Sequence, residues 1–278
     1  MRTDDLMYWI KERHSIYTKR QKGLTKPWTS DPILRDFRFC NVYRELDVVT
    51  AWIAEYWRAP HDGEQHLWFA MVVARLLNLP MSLAAVGYPV PWHPATFTKA
   101  CSARKKSGNL FNGAYIVSTN GHAMDKVDYL VQYVLNPMWE KRKEITEEFA
   151  KDPSLANLHK TLMRQNGLGS FMAAQVVADL KYTMQWNSAP DWFTFAASGP
   201  GSRRGLNRVM EYPTKQSWPE KLWKDKLLVL LAEVEAKRSK AKLPEIHAQD
   251  LQNCLCEFDK YERVRLGEGT PKSRYQGR

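Results

Sequence analysis

Residues 199–205 read Gly-Pro-Gly-Ser-Arg-Arg-Gly, with three glycines, a proline and two guanidinium groups inside seven positions. Glycine lets a backbone approach a ligand and present its N–H groups, and arginine grips phosphate through paired hydrogen bonds. The run Gly199, Gly201, Ser202, Arg203, Arg204 and Gly205 is therefore expected to be a loop that holds an anion against the main chain. It lacks the Lys-Ser/Thr ending of a nucleotide P-loop, so it is no Walker motif. Carboxylates that could move protons stand nearby in the sequence. Asp191 follows Pro190 just ahead of the loop, as a general base, a cation-stabilising group or a plain helix cap. Asp179 lies in an otherwise apolar stretch with Phe171, Met172, Val176, Val177 and Leu180, where a buried carboxylate needs a partner or a task. Asn41, Arg44 and a half-buried Glu45 could line a polar pocket, with a solvated helix face as the alternative reading.

These groups have to be positioned by helices, because strand signals are sparse. Ala114–Ser118 is the best strand candidate. Residues 1–30 are basic and polar, and read as an N-terminal arm. From Asn41, the residues Val42, Leu46, Val49, Ile53 and Tyr56 recur at helical spacing. A second helix is expected over Glu64–Leu79, ending before Pro80, and 86–98 is a proline-punctuated loop. Lys99, Arg104, Lys105 and Lys106 form a basic stretch that reaches Gly108. Further helices are expected at Asp125–Leu135 and Pro137–Ala150. Asp152 should cap another, running to about Gln165. Gly167-Leu168-Gly169 turns the chain into Ser170–Tyr182, and the pair has the shape of a helix-hairpin-helix at 154–182. In such a hairpin Gly167, Gly169 and the second helix's N-terminus face a DNA phosphate. Simple helix packing is the alternative. Trp218–Arg238 and His247–Leu266 complete a single helical domain over 31–266, and 267–278 reads as a basic, mobile tail.

Lys plus Arg outnumber Asp plus Glu by 41 to 30 in 278 residues, a net charge of +11 that suits a polyanionic partner. The longest apolar runs, Trp68–Ala74 and Leu227–Ala232, are far too short to span a bilayer, and no secretory signal opens the chain. A cytoplasmic protein is expected. Cys40, Cys101, Cys254 and Cys256 match no zinc or cluster spacing and read as reduced thiols, so neither a metal nor a cofactor is expected.

Several blocks together resemble the bacteriophage α-glutamyl/putrescinyl thymine pyrophosphorylases, the amino acid:DNA transferases. That family shares its helical domain with 5-hydroxymethyluracil DNA kinases. The resemblance rests on Arg38-Phe39-Cys40-Asn41-Val42-Tyr43-Arg44-Glu45, Gly113-Ala114-Tyr115-Ile116, and Leu168-Gly169-Ser170-Phe171 through Asp179-Leu180. It continues through Ala197-Ser198-Gly199 to Gly205 and ends on Leu255-Cys256-Glu257-Phe258-Asp259-Lys260-Tyr261. The blocks run in order over nearly the whole chain.

The resemblance implies a mainly α, helix-hairpin-helix DNA-glycosylase-like fold and a reaction. A hydroxymethyluracil base, already activated in DNA as its pyrophosphate ester, would receive an amino acid (glycine, serine or glutamate) or putrescine on its exocyclic methylene, with release of pyrophosphate. Residues 199–205 would neutralise the leaving group. Asp179, Asp191 or Glu45 would take the proton. Arg38, Asn41, Arg44, Glu257 and Lys260 would line the substrate site. Arg104, Lys105, Lys106 and the hairpin glycines would hold double-stranded DNA carrying the flipped base. The protein would act as a monomer. A route through an exocyclic methide would also want a nucleophile, for which Cys40 and Cys256 are the thiols in the matching blocks. No P-loop occurs in these residues, nor does the hairpin lysine of bifunctional glycosylases; Ser170 and Phe171 stand there instead. The competing readings are a glycosylase that uses Asp191 and leaves abasic DNA, and a non-catalytic DNA-binding module.

Overall fold

The computed structural model describes residues 1–113, 117–271 and 274. The chain divides into two compact units, Met1–Asp47 with Phe193–Arg278 and, between them in sequence, Val48–Trp192. The first unit opens with α1 (Thr3–Gln21) and α2 (Pro32–Asp36). The second runs through α3 (Val48–Ile53), α4 (Leu67–Leu77), α5 (Pro80–Val86), α6 (Pro94–Ser107) and α7 (Lys126–Tyr129). It continues with α8 (Asn136–Glu140), α9 (Arg142–Lys151), α10 (Leu155–Met163) and α11 (Ser170–Leu180). The chain then returns to the first unit for α12 (Pro200–Met210), α13 (Glu220–Lys240) and α14 (Ala248–Arg265). Among the described residues there is no β-strand, and an isolated bridge joins Phe37 to Arg274. The architecture is mainly α.

In the first unit the core is built by residues three and four apart on each helix. Leu6, Trp9 and Ile10 of α1 pack with Trp223, Leu227, Leu230 and Val234 of α13 and with Leu251, Leu255 and Phe258 of α14. The N-terminal segment is thus no free arm. Its basic residues occupy the outer face of a helix whose inner face is core. Residues 41–47 are not continuous helix either. The Asn41 side chain donates to the Leu46 carbonyl at 2.6 Å while the Asp47 carboxylate accepts from the Asn41 N–H at 2.9 Å. Short polar side chains here satisfy the backbone locally and outcompete the helix until Val48. The tail is tied down at Glu268, which pairs with Arg208.

In the second unit α4 is buried at all eleven positions and α11 at nine, so both are central. Helix α4 ends where Asn78 takes a left-handed conformation, φ 47°. The stretch Leu130–Leu135 is π-helical and links α7 to α8. Ser154, not Asp152, caps α10, its hydroxyl accepting from the Asn157 N–H at 3.1 Å. The basic stretch at 99–106 is the second half of α6, which Pro94 opens. The strand candidate lies in part at 114–116, outside the described residues, and Val117 and Ser118 are not strand. No helix among the described residues is long and apolar enough to cross a membrane.

Candidate functional site

The glycine-arginine run is the start of a helix rather than a loop. Gly199 is the N-cap of α12 and Pro200 its first helical residue. The Ser202 hydroxyl accepts from the Gly199 N–H at 2.9 Å. Two of the glycines serve packing. A Cβ on Gly205 would lie 2.0 Å from the Leu255 carbonyl oxygen, and one on Gly201 would lie 2.4 Å from Cys256 Sγ. Gly201 and Gly205 are four apart and form one face, which lets α12 sit directly on the backbone of α14. The first-turn N–H groups of Gly201 and Ser202 have no acceptor inside the helix, and they carry its positive dipole end.

The two arginines have different fates. Arg203 is spent on its surroundings. Its Nε donates to Ser198 Oγ at 2.8 Å, and its terminal nitrogens donate to the Trp218 carbonyl at 2.5 Å and to Glu220 Oε2 at 2.6 Å. Arg204 donates only its Nε, to Asp259 Oδ2 at 2.8 Å. Its side chain is 38% exposed, and its two terminal amino groups have no acceptor among the described residues. Asp259 is the hub. It is 1% exposed and also accepts from Arg208 Nε at 2.8 Å, while Arg263 Nε stands 3.5 Å away. Arg208 is in turn neutralised by Glu268. Arg204, Arg263 and Asp259 are then left with one net positive charge, alongside the middle of α12. Nothing in the sequence marks Asp259, Arg208 or Arg263 for this cluster: the charges at 257–263 alternate as they would on a solvated helix, and Arg208 belongs to no motif.

A second polar cluster adjoins this hub through α14. Glu257, 10% exposed at its side chain, pairs with Lys260 at 2.6 Å and accepts the Cys40 N–H at 2.9 Å. Lys260 also lies over the Phe39 ring, 4.7 Å from its centroid. Arg44 is anchored through its N–H, which donates to Asp250 Oδ1 at 3.0 Å. Asn41 is engaged at every polar atom: besides the Leu46 and Asp47 bonds, it accepts from Arg13 at 2.6 Å and its carbonyl accepts from Asn253 at 3.2 Å. It therefore holds the segment in shape. Glu45 is half-buried and Arg38 exposed. Asp47 is the carboxylate missed in the sequence. Burial pushes its pKa up, against the Asn41 hydrogen bond and the charges of Arg44 and Arg13. The structure thus brings together three of the blocks singled out in the sequence, at 38–47, 199–205 and 255–263.

The thiols here are protonated at neutral pH. Burial, then Glu257, raises Cys256 to about 11. The Cys40 thiol is also raised, by desolvation and by the carboxylates of Glu257 and Asp47; as a residue Cys40 is exposed, so the acidic neighbours are the firmer cause. Neither is a ready thiolate.

In the second unit two expected catalytic carboxylates turn out to be structural. Asp179 is 0% exposed and both its oxygens are taken by Arg75, Oδ2 from Nε at 2.6 Å and Oδ1 from the adjacent terminal nitrogen. Arg75 is completed by Thr50 at 3.0 Å and Asn78 at 3.2 Å. Asp191 accepts the N–H groups of Leu155 at 2.8 Å and Ala156 at 3.0 Å, and so caps α10 with both oxygens. Helices α10 and α11 are joined by a short turn through Gly167 and Gly169. Gly167 has φ +80° and its missing Cβ would strike Val134 at 2.7 Å, whereas a Cβ on Gly169 would meet nothing within 4 Å. Of the basic stretch, Arg104 is buried with its guanidinium against Gly108, and Lys105 pairs with Asp125 at 2.6 Å. Lys106 is exposed.

The sequence matches the profile of the 5-hmdU DNA kinase helical domain over residues 1–270. It is 27% identical over 244 residues to a 5-hmdU DNA kinase of Bacillus phage SP10, a match that covers 74% of this chain and 36% of that relative. The chain therefore spans about a third of the relative's length. No solved structure matches.

Proposed function

The chain belongs to the family of the 5-hmdU DNA kinase helical domain, and from that premise we propose that it acts in thymine hypermodification of phage DNA, as the transferase that displaces pyrophosphate from an activated 5-hydroxymethyluracil base. The observation that carries this reading is Arg204, in the second turn of α12, fixed by its Nε on buried Asp259, with both terminal amino groups lacking an acceptor among the described residues. Arg204 and Arg263 share the single carboxylate of Asp259, and the positive charge left over favours an added anion. A departing diphosphate supplies one, and meeting its growing charge is the main electrostatic task of such a displacement.

In the proposed reaction the lone pair of an amino acid's or polyamine's nitrogen forms a C–N bond to the exocyclic methylene as the C–O bond breaks. The bonding electrons leave on pyrophosphate, toward Arg204 and the N–H groups of Gly201 and Ser202. The proton released from nitrogen goes to a carboxylate. Asp179 and Asp191 have both oxygens committed elsewhere, and the carboxylates of the 38–47 segment, Glu45 and Asp47, are assigned this role. The raised pKa of Asp47 suits a proton acceptor. The α10–α11 hairpin is read as a helix-hairpin-helix that grips the DNA backbone, with the target base extruded.

The test is incubation of the protein with pyrophosphorylated 5-hydroxymethyluracil DNA and amino acids or putrescine, followed by digestion to nucleosides and mass spectrometry. The expected product is a nucleoside that carries one amine on its methylene, with one pyrophosphate released. Arg204→Ala should lose on the order of 10²-fold in rate, the scale of one transition-state contact. Abasic DNA would identify a glycosylase instead. Duplex binding with no altered nucleoside would identify a binding module.

A further inference from the structure

We propose that Arg263 is a second jaw of the anion site, so that Arg204 and Arg263, hinged on Asp259, take two linked phosphate groups rather than one. The proposal rests on the reading of α12 above. Both guanidiniums turn their Nε toward the same oxygen, Asp259 Oδ2, at 2.8 Å for Arg204 and 3.5 Å for Arg263. Both side chains are partly exposed, at 38% and 37%. The terminal amino groups of both have no acceptor among the described residues. The Nε of Arg263 is buried without a hydrogen-bond partner, one step short of the bond that Arg204 already makes. A guanidinium left in that state is costly for the protein alone and is resolved by an anion that draws it inward.

Charge selects the ligand. Arg208 is balanced by Glu268, and Glu257 by Lys260, so the residual charge near Asp259 resides on Arg204 and Arg263. Two guanidiniums held on one carboxylate can each donate to one of two linked phosphoryl groups, where a monophosphate engages them with a single group. Asp259 is a positioning residue: it touches no substrate and sets the distance between the two jaws. The same chemistry has two sources, a diphosphate ester on the base or two successive backbone phosphates.

The experiment is calorimetric titration of the full chain with inorganic pyrophosphate and with inorganic phosphate, for the wild type, Arg263→Gln and Asp259→Asn. The wild type should prefer pyrophosphate by about tenfold or more, one charged hydrogen-bonding group's worth. Arg263→Gln, at a half-exposed position, should keep its melting temperature and lose that preference while phosphate binding stays within about twofold. Asp259→Asn should lose the preference as well. Wild-type selectivity in Arg263→Gln overturns the proposal and leaves the transferase reading standing. If the wild type binds no pyrophosphate and yields no modified nucleoside, the transferase reading itself fails. Displacement of pyrophosphate by unmodified duplex DNA would assign the jaws to backbone phosphates and overturn the diphosphate-ester assignment.

Discussion

Gly205 of α12 rests against the carbonyl of Leu255 in α14, with no room between them for a methyl group. The obstacle is backbone, which cannot turn aside. Gly205→Ala should therefore force the two helices apart and cost about 3 kcal/mol or more, seen as a melting temperature lower by roughly 6 °C or more. Gly201→Ala overlaps chiefly with the Cys256 sulfur, the end of a side chain, at 2.4 Å, with the Cys256 Cβ next at 3.3 Å. It should cost less, and Cys256→Ala should restore most of the loss. Equal melting temperatures for the two glycine variants would show that the helices do not pack as described.

Arg203 and Arg204 are adjacent in sequence and separate in role. Arg203 ties Ser198, Trp218 and Glu220 to the start of α12, so Arg203→Ala should mainly lower stability, by about 1–3 kcal/mol. Arg204 shares Asp259 with other arginines, and its two terminal amino groups have no acceptor among the described residues, so Arg204→Ala should mainly lower rate. Thermal unfolding beside single-turnover kinetics separates the two. A rate loss in Arg203→Ala at unchanged stability would reverse the assignment.

Removing one half of the Arg75–Asp179 pair takes the counter-charge from a group at 0–2% exposure. Asp179→Asn should destabilise by about 3–5 kcal/mol, and replacing both partners by apolar residues of similar volume should cost much less. Denaturant unfolding checks both. If Asp179→Asn stays fully stable and loses activity, the carboxylate has a chemical role after all.

The helices were legible because each has an apolar face: the boundaries of α11, α13 and α14 fall within two residues of those expected from periodicity and capping. What periodicity could not give is which polar side chains bond to backbone. Asn41 and Asp47 unwind a stretch whose Val42 and Leu46 have helical spacing, and only the bonds they form in space show it. The basic composition of residues 1–30 hid Leu6, Trp9 and Ile10, which make α1 core. At the site, the arginines at 203 and 204 stood out in sequence. Asp259 did not, because a carboxylate among alternating charges carries no mark of being 1% exposed. The glycines were conspicuous for the wrong reason, since residues needed for close helix packing look the same as residues needed to cradle phosphate.

Asp191 caps α10 from outside that helix, with one oxygen on each of two first-turn N–H groups. Its loss should cost about 1 kcal/mol, and Asp191→Asn, which keeps one acceptor, less than Asp191→Ala. Product analysis of Asp191→Ala on modified DNA should give the wild-type nucleoside at a rate reduced only as far as folding is. A selective loss of base release would revive the glycosylase alternative.

Cys256 sits on α14 against Gly201, and its thiol is held up at about 11 by burial and then by Glu257. An unfolded cysteine ionises near 9 or just below. Between the two values the folded chain keeps a proton that the unfolded chain has released. This contribution to stability is fully present below the unfolded pKa and is lost as pH rises through the folded one. Unfolding free energy should thus fall between about pH 9 and 11 in the wild type, and less steeply in Cys256→Ala. Alkylation of Cys256, followed site by site by peptide mass spectrometry, should be slow at pH 7 and rise about tenfold per pH unit, levelling off only near pH 11. Levelling near pH 8 would mean that a thiolate is available under working conditions. Cys256 would then return as a candidate nucleophile for a methide route.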